Sequence, residues 1–364
     1  MTHIGPLSFA RRRLLLTPVG LLLADGHAAT VDAMVVPGRA LLFPRDEGSH
    51  PDFKIEWWYV TGWLSTAAGQ SLGFQVTFFR HRVPGAQDNP SRFAPRQLIV
   101  GHAALSDARR RRLLHAQRIG RSAFRLADAD EGKTDVRIDA WSLRATSETR
   151  LHATVVDREF GFELDFERTQ PVLLHGEQGF SRKGPSSASA SYYYTLPHLA
   201  VSGHVTAGGA RERVSGAAWL DHEWSSAPME ADASGWDWIG INLDDGGALM
   251  AFRMRDAQGG ALWAGATLRD RVGRSRAFGA DQVRWTATQR WQSPRTQASY
   301  PVGWKIIIGD LNLDIDPLMA DQEQDARMTT GTVYWEGAVT ARSGQTVIGR
   351  GYLEMTGYWR AFRL

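Results

Sequence analysis

Two stretches of this 364-residue chain gather the side chains that can do chemistry. The denser one runs from Trp219 to Trp238 as Trp-Leu-Asp-His-Glu-Trp-Ser-Ser and then Gly-Trp-Asp-Trp. On a strand, alternation puts Trp219, Asp221 and Glu223 on one face and Leu220, His222 and Trp224 on the other. Asp237 alternates in the same way between Trp236 and Trp238, which delivers a carboxyl group among indole rings. A carboxyl in apolar surroundings resists ionisation, so its pKa rises and it remains a proton donor near neutral pH. Indole faces attract cations, a developing carbocation included. The set suits protonation of an alkene, with Asp237 as donor and Asp221 beside it. His222 would position or deprotonate water, and Trp224 and Trp236 would shield the cation. This scheme has the His222/Trp224 face lining a cavity and Glu223 on the other face. The competing reading of Asp221, His222 and Glu223 is a buried hydrogen-bonded network that ties two halves of the molecule together.

The second stretch is Glu56-Trp57-Trp58-Tyr59, with His50 and Asp52 upstream. Glu56 and Trp58 share one strand face, Trp57 and Tyr59 the other. Glu56, Trp58 and Tyr59 join Trp224, Trp236 and Trp238 as candidate ligand contacts, although core aromatics beside a satisfied carboxylate explain them as well.

Other catalytic signatures are missing from the sequence. Gly179-Phe-Ser-Arg-Lys-Gly184 has the wrong spacing for a nucleophile elbow, and His222-Glu223 lacks the second histidine of a zinc helix. There is no phosphate-binding glycine loop and no cysteine, so neither a cofactor nor a metal is expected. The acidic stretch from Asp310 to Asp325 lacks calcium-loop spacing. Arg109–Arg112, with Arg118 and Arg121, reads as a solvated helix face over Arg110–Arg121.

The elements that must hold these residues are strands. Leu72, Phe74, Val76 and Phe78 share one side of a strand, and similar period-two runs recur from Glu56 to Tyr358 with Gly, Asp, Asn or Pro between them. So many short strands without a strand–helix–strand pattern predict an all-β chain of antiparallel sheets closing into barrels. Trp58-x3-Gly62-x6-Gly69-x4-Phe74-x-Val76 is echoed by Trp236-x3-Gly240-x6-Gly247-x4-Phe252-x-Met254, a constant shift of 178 that suggests two copies of one unit and sets Tyr59 where Asp237 stands. A boundary near Ser225–Ser234 gives tandem barrels over 34–228 and 229–364.

A formal charge of +3 implies no nucleic-acid partner. Fourteen tryptophans favour large buried rings or an aromatic pocket. At the N-terminus, Arg11–Arg13 precede an apolar run from Leu14 to Ala24, with small residues at Ala28, Ala29 and Ala33. This is the order of an export signal over residues 1–33, cleaved after Ala29 or Ala33, and it places the protein in the periplasm or outside the cell. The run falls well short of the roughly 18 residues of a spanning helix.

His50-Pro-Asp-Phe-Lys-Ile-Glu-Trp-Trp-Tyr-Val-Thr-Gly-Trp-Leu64, Gln75-Val-Thr-Phe-Phe-Arg80, Trp219–Ser226, Gly235–Trp238 and Tyr334-Trp-Glu-Gly337 resemble the AttH-like lipocalin family. Its members carry the label secreted hydrolase, and its distant relatives include carotenoid 1,2-hydratase (hydroxyneurosporene synthase) and kievitone hydratase. The resemblance implies two successive lipocalin-type, or calycin-type, barrels and, by way of the hydratases, addition of water to an isolated carbon–carbon double bond without a cofactor. It also implies functional importance for His222 and Trp224, with Asp237 the nearest acidic candidate downstream. The sequence thus leads to an exported protein that binds an apolar or amphipathic molecule, such as a terpenoid or lipid, and acts on it as a hydratase or isomerase. The alternative is a periplasmic lipid carrier without catalysis, serving a membrane transporter.

Overall fold

The computed structural model describes residues 1, 32–91, 93–122 and 126–362. The expected export segment falls, apart from its ends, outside the described residues.

Two antiparallel sheets account for the strands. The first contains β1 (Ile55–Thr66), β2 (Ser71–Arg82), β3 (Gln97–Asp107), β4 (Arg112–Arg121), β5 (Ala127–Ala129), β6 (Asp135–Ile138), β7 (Trp141–Ala145), β8 (Arg150–Val156), β9 (Phe160–Glu167), β10 (Leu173–Leu174), β11 (Phe180–Arg182), β12 (Ala190–Ala207) and β13 (Ala210–Ala227). The second contains β14 (Gly235–Leu243), β15 (Ala248–Arg255), β16 (Ala261–Arg269), β17 (Ser275–Phe278), β18 (Val283–Gln292), β19 (Ser299–Ile308), β20 (Leu311–Pro317), β21 (Glu323–Ala326), β22 (Thr332–Ser343) and β23 (Thr346–Met355).

Both sheets follow one plan. The first four strands of each unit form a meander, and the last hairpin of the unit returns to pair with the first strand, giving β4-β3-β2-β1-β13-β12-β9-β8-β7 in one sheet and β17-β16-β15-β14-β23-β22-β20-β19-β18 in the other. In the first sheet the order continues through β6 to β5, which lie against β3 and β4 and nearly close the barrel. The repeat is therefore present in the topology, but its spacing differs from the sequence echo. Val60 pairs with Val76, and Asp237 pairs with Arg253, so the two hairpins superpose with an offset of 177 (237 − 60 and 253 − 76). A shift of 178 is one residue out of register, which on a strand exchanges the two faces. Trp58, Phe74 and Val76 indeed point into the first barrel, while Trp236, Phe252 and Met254 point out of the second.

The expected helix over Arg110–Arg121 is a strand. Arg109–Arg111 turn the β3–β4 hairpin, with Arg111 at φ 50°, and β4 then alternates, with Leu114 and Ala116 in the barrel core. Pairing along the whole length of β3 outweighs local propensity here. Among the described residues, helix is confined to two short 3-10 turns, Arg45–Glu47 and Ala280–Gln282.

Apolar residues form three layers: one core inside each barrel, and a third between them that includes Tyr59, Tyr193, Trp219, Trp238, Phe252, Met254 and Tyr352. Both faces of β1, β13 and β14 are therefore covered. Direct hydrogen bonds fasten the barrels together, among them Trp63 Nε1 to the Gly351 carbonyl at 3.0 Å and the pair His102 Nδ1 and Tyr334 Oη at 2.6 Å.

Candidate functional site

Alternation along β1 and β13 sorts the chemistry-bearing residues onto two sides. Glu56 and Trp58 share the barrel interior with His222 and Trp224, whereas Trp57, Tyr59, Trp219, Asp221 and Glu223 face the second barrel. The split into faces is the one alternation predicts. The expectation that the His222/Trp224 face lines the cavity is corrected: the cavity lies on the opposite side of β13.

Inside the first barrel, Glu56 is the hub of a closed network. Its Oε1 meets His50 Nδ1 at 2.6 Å and His222 Nε2 at 2.9 Å, and its Oε2 accepts from Arg80 Nε at 2.7 Å and from the His50 amide at 2.9 Å. His222 Nδ1 meets the Tyr194 hydroxyl at 3.1 Å, while Trp58 and Trp224 pack their rings on His222 and His50. Burial works against ionising Glu56, but the charges of His50 and Arg80 hold its carboxyl well below the usual range. Burial lowers the pKa of His222, and its bond to Glu56 offsets this only in part, so the ring is neutral. His50, Glu56 and His222 place their ligand atoms within 4.8 Å of one another, the spacing of a metal site. Those atoms are already engaged with each other, and the Arg80 guanidinium on the same carboxylate opposes a further cation.

Asp237 occupies the corresponding interior of the second barrel. Its carboxylate is held by Arg253 Nε at 2.6 Å, Arg255 Nε at 3.1 Å and the Tyr358 hydroxyl at 2.9 Å. The indole-lined setting expected for it is corrected, because Trp236 and Trp238 leave the opposite face of β14 and Asp237 sits in an ion-paired cluster. The structure brings His222 together with Glu56 and Asp221 together with Tyr59 and Trp238, but it does not bring Asp237 to any of them.

The cavity itself, about 490 Å³, opens between the barrels. Its outer part is bounded by half-buried Lys54, His81 and Arg82 and by exposed Ile119, and its inner part by buried Tyr59, Thr77, His102, Asp221, Tyr334 and Glu336. Trp57, Trp236, Trp238, Tyr193, Phe79 and Phe252 supply aromatic walls. Asp221 accepts hydrogen bonds from Trp219 Nε1 at 2.7 Å, the Tyr193 hydroxyl at 2.5 Å and the Thr195 hydroxyl, and Trp238 Nε1 in turn donates to Tyr193 at 2.9 Å. Burial pushes Asp221 up to about 7 despite these donors. Glu223 is ion-paired with Lys183 at 2.8 Å and accepts a hydrogen bond from the Ser191 hydroxyl.

Sequence reading met Glu336 only within the motif Tyr334-Trp-Glu-Gly337, gave it no role, and did not reach Glu354. They are direct partners across β22 and β23, and both line the cavity. Burial pushes Glu354 up to about 8, and burial together with Glu354 raises Glu336 well above the carboxylate range. Each follows an apolar neighbour in a strand, Trp335 and Leu353, which was the available signal.

The AttH-like family profile matches residues 34–358. An AttH protein from Nitrosomonas europaea, solved at 2.00 Å, is 50% identical and superposes with a TM-score of 0.84, covering 90% of this chain and 99% of that one. Kievitone hydratase from Nectria haematococca superposes with a TM-score of 0.68 at 14% identity, over 91% of this chain and 98% of its own. CghA with Sch210972 gives 0.53 at 12% identity, over 90% and 97%. At these two identities the likeness is one of fold. Comparison with curated proteins gives no match. The two-barrel architecture, the match along nearly all of the described chain and the half-identical relative together make the chain a member of the AttH-like family.

Proposed function

We propose that the cavity between the barrels binds an apolar or amphipathic small molecule and that the protein, exported to the periplasm or beyond, is a cofactor-independent hydratase or isomerase acting on a carbon–carbon double bond. The observation that carries this reading is Asp221, a carboxyl group buried in the wall of an aromatic cavity and poised near neutrality. Such a group holds a proton in an environment that resists its loss to water yet can yield it to a bound alkene. Asp221 gives the proton to one alkene carbon, directly or through the Tyr193 hydroxyl, and the second carbon becomes a cation facing Trp236 and Trp238. Addition of water and loss of its proton complete a hydration; loss of a proton from the adjacent carbon completes an isomerisation. His222 and Trp224 stand behind β13 and support its geometry from the barrel interior. The fold shared with a protein named kievitone hydratase supports the choice of chemistry.

The test is a panel of prenylated phenols, kievitone included, terpenoids and unsaturated fatty acids, incubated with wild type and Asp221→Asn in heavy water and in ¹⁸O-water. Label entering a product with wild type and not with the variant supports the reading. Binding of a panel compound that always leaves unlabelled overturns it in favour of a carrier, and native mass spectrometry of protein from its own host would then show a retained, unmodified lipid.

A further inference from the structure

Glu336 and Glu354 sit side by side on the wall facing Asp221, one on β22 and one on β23, in direct register. Among the described residues neither is in an ion pair, in contrast to Glu56, Glu223 and Asp237, which all are. Beside them the Tyr59 hydroxyl is buried, lines the same cavity and faces the Glu336 carboxyl. Two adjacent carboxyls and a buried phenol share the cavity with the rings of Trp236, Trp238 and Phe252, and Lys183, whose ammonium lies 4.5 Å from the Phe252 ring centre, is paired with Glu223 and not with them.

We propose that Glu336 and Glu354 form a cation-binding subsite of the cavity, which takes the positive centre of a diffuse organic cation. The inference rests on the reading of the cavity as a ligand site and adds the charge of what it holds: the carbocation formed by proton transfer from Asp221 is such a species, and a quaternary ammonium ion mimics it stably.

Other titratable groups near the pair leave this charge balance in place. Tyr59 from β1, Tyr334 from β22 and Tyr352 from β23 are all raised by burial and stay neutral. His102 from β3 is pushed down to about 3 and is uncharged near neutral pH. From β13, Glu223 is matched by Lys183, and Asp221 is the one remaining acid. Trp236, on β14, is an indole donor to Glu354. The pair accordingly holds its protons while no cation is bound beside it. A cation favours the ionised form, so one carboxyl ionises as the cation binds and its proton passes to solvent.

The experiment is calorimetric titration of the full chain at pH 7 with hydroxyhexyl-trimethylammonium and with the neutral alcohol in which carbon replaces its nitrogen, in two buffers of different ionisation enthalpy. The expected result is an ammonium affinity about tenfold or more above that of the alcohol, with close to one proton released per ion bound and none per alcohol. In the double variant Glu336→Gln/Glu354→Gln the preference and the proton release disappear while the alcohol binds as before. Glu354→Gln alone, with its melting temperature recorded, guards against a folding defect. Equal affinities for the two probes, or a preference that survives in the double variant, overturn the subsite but leave the cavity reading intact. Failure of both probes to bind overturns both.

Discussion

Asp221 and His222 are adjacent in the chain and serve opposite sides of one strand: the imidazole meets Glu56 at 2.9 Å inside the first barrel, while the carboxyl faces the cavity between the barrels. Opposite mutational phenotypes follow. His222→Ala opens a void between Trp58 and Trp224 and leaves the buried Tyr194 hydroxyl without its ring partner, at a cost of about 2–4 kcal/mol. Asp221→Asn keeps the shape of the wall and the Oδ1 that accepts from Trp219 and Thr195, and its amide meets a Tyr193 hydroxyl turned to accept, so the melting temperature holds while proton transfer stops. Thermal melts and the labelled-water assay, run on both variants, decide the matter. A His222→Ala protein of unchanged stability and no turnover would restore His222 to the chemistry.

Stability should depend on pH in a direction set by the cavity acids. Glu354 rises from 4.5 to about 8 on folding and Asp221 from 3.8 to about 7, so the folded chain holds protons that the unfolded chain releases. Stability from these groups is full at the acid end of that window and declines as pH climbs through it. Asp46 and Glu56, both lowered, act in the opposite sense, and their contribution is lost as pH falls below the ordinary carboxylate range. Glu354→Gln removes part of the decline and should raise the melting temperature at pH 8 by about 2–4 °C, with much less effect at pH 5. A uniform shift at both pH values would show that Glu354 is not protonated in the folded protein.

The strands were legible in the sequence because period-two alternation is local, and so was the division of Asp221 from His222 onto separate faces. Which face met the cavity was not legible. Usually one face of a strand is apolar and identifies the core, but β1 carries Trp58 inward and Trp57 outward, and β13 carries Trp224 inward and Trp219 outward. Both faces are buried and aromatic, so composition alone cannot say which borders the second barrel. Glu336 and Glu354 escaped for a related reason. They lie eighteen positions apart and become neighbours only through the β22–β23 register. The arginine run misled in another way, since a hairpin turn and a charged helix face use the same residues until β3 supplies its partner.

Asp237 is expected to matter for stability rather than for the ligand. Its carboxylate compensates Arg253 and Arg255 in the second barrel, and Asp237→Asn leaves two largely buried guanidinium groups with a neutral partner. Breaking such a cluster costs about 3–5 kcal/mol. Binding of an alkene to the cavity, followed by native mass spectrometry at a temperature where the variant is folded, should change less than about twofold, within the additivity error of distant sites. Unchanged melting together with lost turnover would instead identify Asp237 as the proton donor and move the site into the second barrel.

The contact of Gly73 on β2 with Ala338 on β22 sets the spacing of the barrels. A side-chain carbon built on Gly73 would lie 2.6 Å from Ala338 Cβ and 3.2 Å from Ser106 Cβ, well inside van der Waals contact. Gly73→Val must therefore displace the second barrel, at about 1–3 kcal/mol, and stretch the 2.6 Å bond between His102 and Tyr334 at the inner end of the cavity. Each barrel keeps its own strands, so the far-ultraviolet circular dichroism stays the same while the near-ultraviolet tryptophan signal and ligand affinity fall. Adding Ala338→Gly to Gly73→Val removes the nearest opposing carbon and should return part of both the stability and the affinity, whereas Ala338→Gly alone loses a little of each. If the second substitution gives no rescue, the effect of Gly73→Val arises within β2 and its partner Ser106, and the barrel spacing does not control the cavity.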